Sequence, residues 1–212
     1  MRLAIPDTVH RIPLDEPERA IREFATLMGE LRDLPASAAD LEPIATEAVE
    51  TALREGAFLM AVVTPPQAAP AVLTGVVLAV PPTWDPDTAE SLRDAMEDVG
   101  GPDVRETVAL DTGLGPAVVA QRVPGVEQAR ERRALTVQLQ AFIPEPGSGR
   151  MLLLTLACPS THGWPAHQEL FARLVTSARP DDAPEPGADP APRVRRAGRA
   201  EDDSFEEHTY QL

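Results

Sequence analysis

A chain of 212 residues suits one domain of ordinary size plus added segments, and its formal charge of −15 repels phosphate backbones and anionic lipid, which argues against nucleic-acid or membrane-surface binding. Hydrophobic residues make up 43% but aromatics only 4%, so the core must be built mostly from Val, Leu and Ala. All 19 basic residues are Arg, and the chain has neither Lys nor Asn, a pattern of GC-rich bacterial coding rather than a demand for guanidinium.

The opening stretch MRLAIPDTVHRIPLDEPERA contains no apolar run of signal-peptide length, because Pro6, Asp7, His10, Arg11 and Pro13 interrupt it. A first helix is expected after Asp15, with Pro17 at its first position and Glu18 in a capping-box-like spacing. Its apolar stripe is Ala20, Ile21, Phe24, Leu27, Met28 and Leu31, and Pro35 stops it. A second helix is expected from about Asp40 to Glu55 on the stripe Leu41, Ile44, Ala45, Ala48 and Ala52, with Gly56 as its C-terminal cap.

Two strands follow, AFLMAVVT (57–64) and AVLTGVVLAV (71–80), joined as a hairpin through Pro65, Pro66 and Pro70. Both are apolar on both faces, so both are expected to be covered on both sides. PDTAESLRDAMEDV (86–99) reads as a third helix capped by Asp85 and ended by Gly100, Gly101 and Pro102. VRETVAL (104–110) and PAVVAQRV (116–123) flank DTGLG as a second hairpin. The strand over 134–143 alternates: Leu135, Val137, Leu139, Ala141 and Ile143 share one face, and Thr136, Gln138 and Gln140 the other. MLLLTLA (151–157) is its expected, fully buried partner, and a last helix occupies 165–178.

Beyond Ser177 apolar residues nearly vanish until Phe205, and Pro and acidic residues dominate, so 179–212 is expected to be a disordered tail. Residues 179–212 hold five Arg against nine Asp and Glu, a net of −4, which leaves −11 for residues 1–178. Within the tail, RVRRAGR (193–199) is followed at once by AEDDSFEE and reads as a self-neutralising mixture of charges. Phe205, Tyr210 and Leu212 then restore apolar anchors at the end, a pattern suited to a short docking segment.

Two stretches invite a catalytic reading. ACPSTHGWPAHQELF (157–171) places the single cysteine, Cys158, ahead of His162 and His167. A nucleophilic thiol needs a lowered pKa and access, yet the helix begins near Pro165, too far along the chain for its dipole to reach Cys158. The three residues match no structural zinc spacing, and His167 falls in the stripe with Leu170, Phe171 and Leu174, where a hydrogen-bonded interface histidine is expected. VALDTGLG (108–115) carries Asp111-Thr112-Gly113, the catalytic signature of aspartic proteases, but an Asp-Thr-Gly run between strands is also ordinary turn chemistry. No GxGxxG, Walker loop, GxSxG or HExxH occurs, so no cofactor or metal is expected, and no catalytic residue is assigned.

Binding residues are expected instead on the polar strand face, Thr136, Gln138 and Gln140, with Arg122 from the preceding strand supplying charge. A single cysteine cannot form an internal disulfide, and nothing approaches the ~20 apolar residues of a membrane span, so a cytoplasmic location without membrane insertion is expected.

The element order, together with Gly56-Ala57, GPAVVAQRV (115–123), Gln138 to Pro144, LLLTLACPS (152–160) and Trp164 with Leu170-Phe171, resembles a functionally uncharacterised group from high-GC actinobacteria. That group looks like members of the PsbP-like fold, which includes a photosystem II extrinsic protein and a nuclear-import factor that binds a small GTPase. The resemblance spans residues 1–178 and implies an α+β domain: an antiparallel sheet of about six strands with helices packed on it. It also implies a non-enzymatic accessory or adaptor role through protein–protein contacts. The alternative is a hydrolase using Asp111 or Cys158.

Overall fold

Alternating apolar strands can bury one face only where helices cover it, and here the helices cover the two faces unequally. The computed structural model describes residues 1–31, 41–79, 83–99, 103–123, 136–181 and the backbone of 194–195. Its elements are β1 (Val9–Ile12), α1 (Pro17–Leu31), α2 (Glu42–Arg54), β2 (Ala57–Val63), β3 (Ala71–Ala79), α3 (Pro86–Val99), β4 (Val104–Thr112), β5 (Gly115–Arg122), β6 (Val137–Glu145), β7 (Arg150–Cys158), α4 (Trp164–Thr176) and a two-residue β8 (Val194–Arg195). All pairings are antiparallel, in the order β1-β2-β3-β7-β6-β5-β4-β8. The fold is α+β.

The body of the sheet has seven strands rather than six. The additional one, β1, is VHRI, whose ends Val9 and Ile12 are buried and whose middle residues His10 and Arg11 are exposed. The same polar residues that interrupt a leader-like apolar run are tolerated in a short edge strand, where one side meets water. It registers Val9 against Val63 and Ile12 against Met60. The eighth strand comes from the tail; apart from it and residues 179–181 the tail, with Phe205, Tyr210 and Leu212, lies outside the described residues, as do the expected helix stops at Pro35 and at 100–102, and Leu135.

One face is covered by α4. Its core joins Leu59, Ala61, Val63, Leu73, Ala117, Val119, Leu139, Ala141, Ile143, Leu152, Leu154 and Leu156 to Phe171, Leu174 and Val175. On the other face, α1 and α2 pack Ala20, Phe24, Ala45, Val49 and Ala52 on Ile12, Met60 and Val62. Within α2 the buried stripe is Ala45, Val49 and Ala52, while Ile44 is 56% exposed, so the helix is rotated away from the stripe drawn through Ile44. On that same face α3 covers β4 and β5: Trp84 Nε1 donates to Pro116 O at 2.9 Å, and the Thr107 hydroxyl donates to the Glu97 carboxylate. Asp85 caps α3 as its sequence implies, its Oδ1 accepting from Thr88 N at 2.8 Å and from the Thr88 hydroxyl at 2.7 Å. Those bonds hold its carboxyl below the usual range.

Coverage on both sides holds along β2, where residues 59–63 are all buried. It fails for β3 and β7. Val72, Thr74 and Val76 on β3, and Leu153, Thr155 and Ala157 on β7, are only half-buried. A run of apolar residues cannot distinguish a strand under a helix from one lying in a gap between helices.

The position of α4 is set at its start by Gly163, which adopts φ 71° as the N-cap. A Cβ there would lie 2.3 Å from Ala68 Cβ and 2.8 Å from Gln67 O. Only glycine allows both the left-handed backbone and this approach to the β2–β3 loop. Gly163→Ala is therefore expected to destabilise the fold by roughly 2–4 kcal/mol, combining left-handed strain with overpacking, as measured by urea unfolding. An unchanged midpoint would contradict so close an approach.

Candidate functional site

The motif ACPSTHGWPAHQELF resolves into a strand end, a turn and a helix start. Cys158 closes β7 fully buried, with its Sγ 3.7 Å from Pro70 O. His162 is exposed in the turn and engages through its backbone, its carbonyl accepting from Ala69 N at 3.1 Å. His167 is fully buried on α4. Burial pushes the Cys158 thiol above its ordinary pKa, the opposite of what a nucleophile requires.

His167 departs from its expected hydrogen-bonded role. Neither ring nitrogen has a hydrogen-bond partner among the described residues, and the ring stands edge-on to Trp164 with centroids 5.9 Å apart. The stripe correctly puts it inside, but no acceptor among the described residues meets its nitrogens. Desolvation lowers its pKa below the ordinary 6.5.

Asp111 lies on β4 opposite Pro116, before the β4–β5 turn. Thr112 builds that turn: its hydroxyl donates to Gly115 O at 2.7 Å and accepts from Leu114 N at 3.0 Å. Gly113 N donates to Ala178 O at 2.9 Å, and a Cβ on Gly113 would lie 3.0 Å from that oxygen. The Asp-Thr-Gly run is thus the end of β4 and the start of its turn, with Gly113 fitted against the segment just after α4. Asp111 and Cys158 are three strands apart in the sheet, about 14 Å at the usual spacing, and a further seven residues apart along the strands, and they lie on opposite faces. They cannot act on one bond.

The predicted polar face is assembled. On the side of the sheet carrying α1, α2 and α3, the register aligns three rows across the central strands. The first runs Val72, Ala157, Gln138, Arg122; the second Thr74, Thr155, Gln140, Ala120; the third Val76, Leu153, Phe142, Val118. Helices pack at the margins, α1 and α2 toward β1 and β2 and α3 over β4 and β5, so the rows between form the floor of a trough. Gln138, Gln140, Phe142, Leu153, Thr155 and Thr74 are each half-buried.

Arg122 is held there by Asp103: Nη2 and Nε donate to Oδ2 at 2.8 and 3.0 Å, and Nη1 reaches Gln140 Oε1 at 3.5 Å. Gln138 Nε2 donates to Thr136 Oγ1 at 3.2 Å. All four expected residues, Arg122, Thr136, Gln138 and Gln140, therefore fall in one cluster. Sequence reasoning did not include Asp103, Thr74, Thr155, Phe142 or Leu153. The isolated Thr in each of the runs VLTGV and LLTLA is the available signal, since a lone hydroxyl in an apolar strand marks the less covered face. What the cluster offers is a mixed floor of amides, hydroxyls and apolar side chains with one paired charge.

No group of three or more His, Cys, Asp or Glu able to hold a metal occurs among the described residues, and none of the described helices is long and apolar enough to cross a membrane. No family model matches the chain, and no curated protein or solved structure matches it.

Two outcomes follow from the buried pair. A thiol reagent at neutral pH should modify Cys158 slowly in the native protein and rapidly after denaturation; fast native labelling would show that the site opens. For His167, the unfolded chain binds a proton below about pH 6.5 while the folded imidazole resists it. Stability should therefore be unaffected above that pH and fall by up to about 1.4 kcal/mol per pH unit below it. His167→Phe should flatten this part of the pH profile of urea unfolding, and an identical profile would assign the acid sensitivity elsewhere.

Proposed function

We propose that the protein is a non-enzymatic accessory or adaptor that works through protein–protein contacts, on a domain of the PsbP-like kind. The observation that carries this reading is the trough on the helix-flanked face, where amide, hydroxyl and apolar groups share a half-buried floor. Mixed surfaces of this kind suit a polypeptide, which presents both backbone polar groups and side chains. The alternative is a hydrolase using Asp111 or Cys158; against the second stands the burial that pushes the Cys158 thiol up, and the two residues lie on opposite faces of the sheet, so neither can assist the other.

In this reading the end of the tail adds a second, tethered contact. EDDSFEEHTYQL combines acidic residues for steering with Phe205, Tyr210 and Leu212 for anchoring. Ordering such a segment on binding costs conformational entropy, so its affinity is modest and reversible.

The test is site-specific photo-crosslinking in the source cell with the full chain. A benzophenone side chain at position 140, in the trough, should yield a discrete protein adduct, and one at exposed position 87 should not. Phe205→Ala, Tyr210→Ala and Leu212→Ala together should reduce the adduct, whereas Cys158→Ser and Asp111→Asn should leave it intact. Equal labelling from 140 and 87, or loss of a hydrolytic activity in Asp111→Asn, would overturn the adaptor reading.

A further inference from the structure

The outer edge of β4 is a nine-residue strand that ends the body of the sheet, and an edge of that length presents unpaired backbone donors and acceptors to any extended segment. Two residues of the tail already meet it. Val194 registers against Leu110 and Arg195 against Ala109, antiparallel. We propose that this edge is a strand-addition site for an arginine-rich extended segment, and that residues 193–199 of the same chain are its occupant.

Three features support that occupant. The first is where the chain leaves the domain. Ala178 O is bonded to Gly113 N at 2.9 Å at the hairpin end of β4, three residues from Leu110, and the chain then pairs Arg179 with Arg2 and meets the Met1 amine through Asp181 at 3.0 Å. Twelve residues lie between Asp181, whose carboxylate shares the Met1 amine with Glu145 of β6, and Val194; at ~3.3 Å per residue they reach about 40 Å, against a lateral distance of about 14 Å across three strand spacings. Closing so short a span within one chain is entropically cheap and gives an effective concentration on the order of millimolar.

Direction is the second feature. The antiparallel register carries the tail away from the hairpin, from Leu110 toward Ala109, as a segment arriving from Ala178 must run.

Charge is the third. Residues 193–199 contain four arginines and no acidic residue, in a chain that is otherwise strongly acidic. The element beside β4 is α3, which carries Asp87, Glu90, Asp94, Glu97 and Asp98 against the single Arg93, and β4 itself adds exposed Glu106 and half-buried Asp111 against exposed Arg105, so the acidic residues outnumber the basic ones. Continuing the register by one pair would match Asp111 with Arg193. The edge thus selects for an extended segment that is basic, and the acidic remainder of the tail is excluded by like charge.

This inference does not depend on the adaptor reading, because it concerns the sheet edge and not the trough. The test is amide hydrogen exchange, resolved by residue, on the full chain and on a full-length Val194→Pro, Arg195→Pro variant, which cannot donate to the edge. Unchanged near-ultraviolet dichroism and thermal midpoint would confirm an intact domain. The β4 amides pointing away from β5 around Ala109 and Leu110 should exchange at least tenfold faster in the variant. A synthetic peptide of residues 192–199 should restore their protection saturably and more weakly at high salt.

Equal exchange in the two proteins would overturn the proposal, and restoration by a peptide with all four arginines replaced by Gln would overturn the selection for charge. Protection in the unaltered chain that vanishes on dilution from dimer to monomer would place the segment on a second copy, overturning occupancy within one chain.

Discussion

The width of the sheet governs this structure. Seven antiparallel strands span about 29 Å from first to last, and a packed helix is only about 10 Å across. No single helix can seal either face. On one side α4 spans between β4 and β6, and Val9 and the partly buried Met1, Leu3 and Ala69 join the same core. On the other side α1 and α2 form a pair over one end and α3 sits over the other, leaving the central rows with incomplete cover. The polar cluster is found where the cover is incomplete, since amides and hydroxyls can be half-buried there without losing all access to water.

Helix α4 links this constraint to the rest of the chemistry. Its start is fixed by the close approach of Gly163 to Ala68, and its middle by Gln121, whose Oε1 accepts from Gln168 Nε2 at 2.7 Å and from Trp164 Nε1 at 3.3 Å. Its end is fixed where Ala178 O meets the β4–β5 turn. Held at three points, α4 buries Cys158 and His167 between itself and the sheet. The same anchoring delivers the departing chain to the edge of β4. A stretch that reads as a catalytic or metal motif is therefore the structural clasp of one face.

The polar cluster and the buried pair show how much of the molecule was legible in advance. Alternation in TVQLQAFI assigned Gln138 and Gln140 to the opposite face from Leu139 and Ala141, because strand geometry sends successive side chains to opposite sides whatever surrounds them. Neighbouring strands were not legible in the same way. Thr155 and Thr74 join Gln140 only through the register of β6, β7 and β3, a long-range pairing that no local pattern encodes. His167 shows the converse: its stripe placed it inside, but whether an acceptor waits there depends on which strands α4 crosses.

By itself the sequence determined the α+β class, the helix at 86–99 with its Asp85 cap, and the β4–β5 hairpin, whose strands run on through Asp111 and Thr112 to a turn at Gly113 and Leu114. It also determined that Gln138 and Gln140 lie on the opposite side of their strand from Leu139 and Ala141. These are local matters, settled by periodicity, capping and backbone sterics within a few residues. Only the tertiary structure decided that VHRI is a strand, that β3 and β7 are open on one face, that Arg122 pairs with Asp103, and that residues 194–195 meet β4. Each of these depends on which distant segments become neighbours, and that is set by the joint burial of many weak contacts rather than by any one residue's preference.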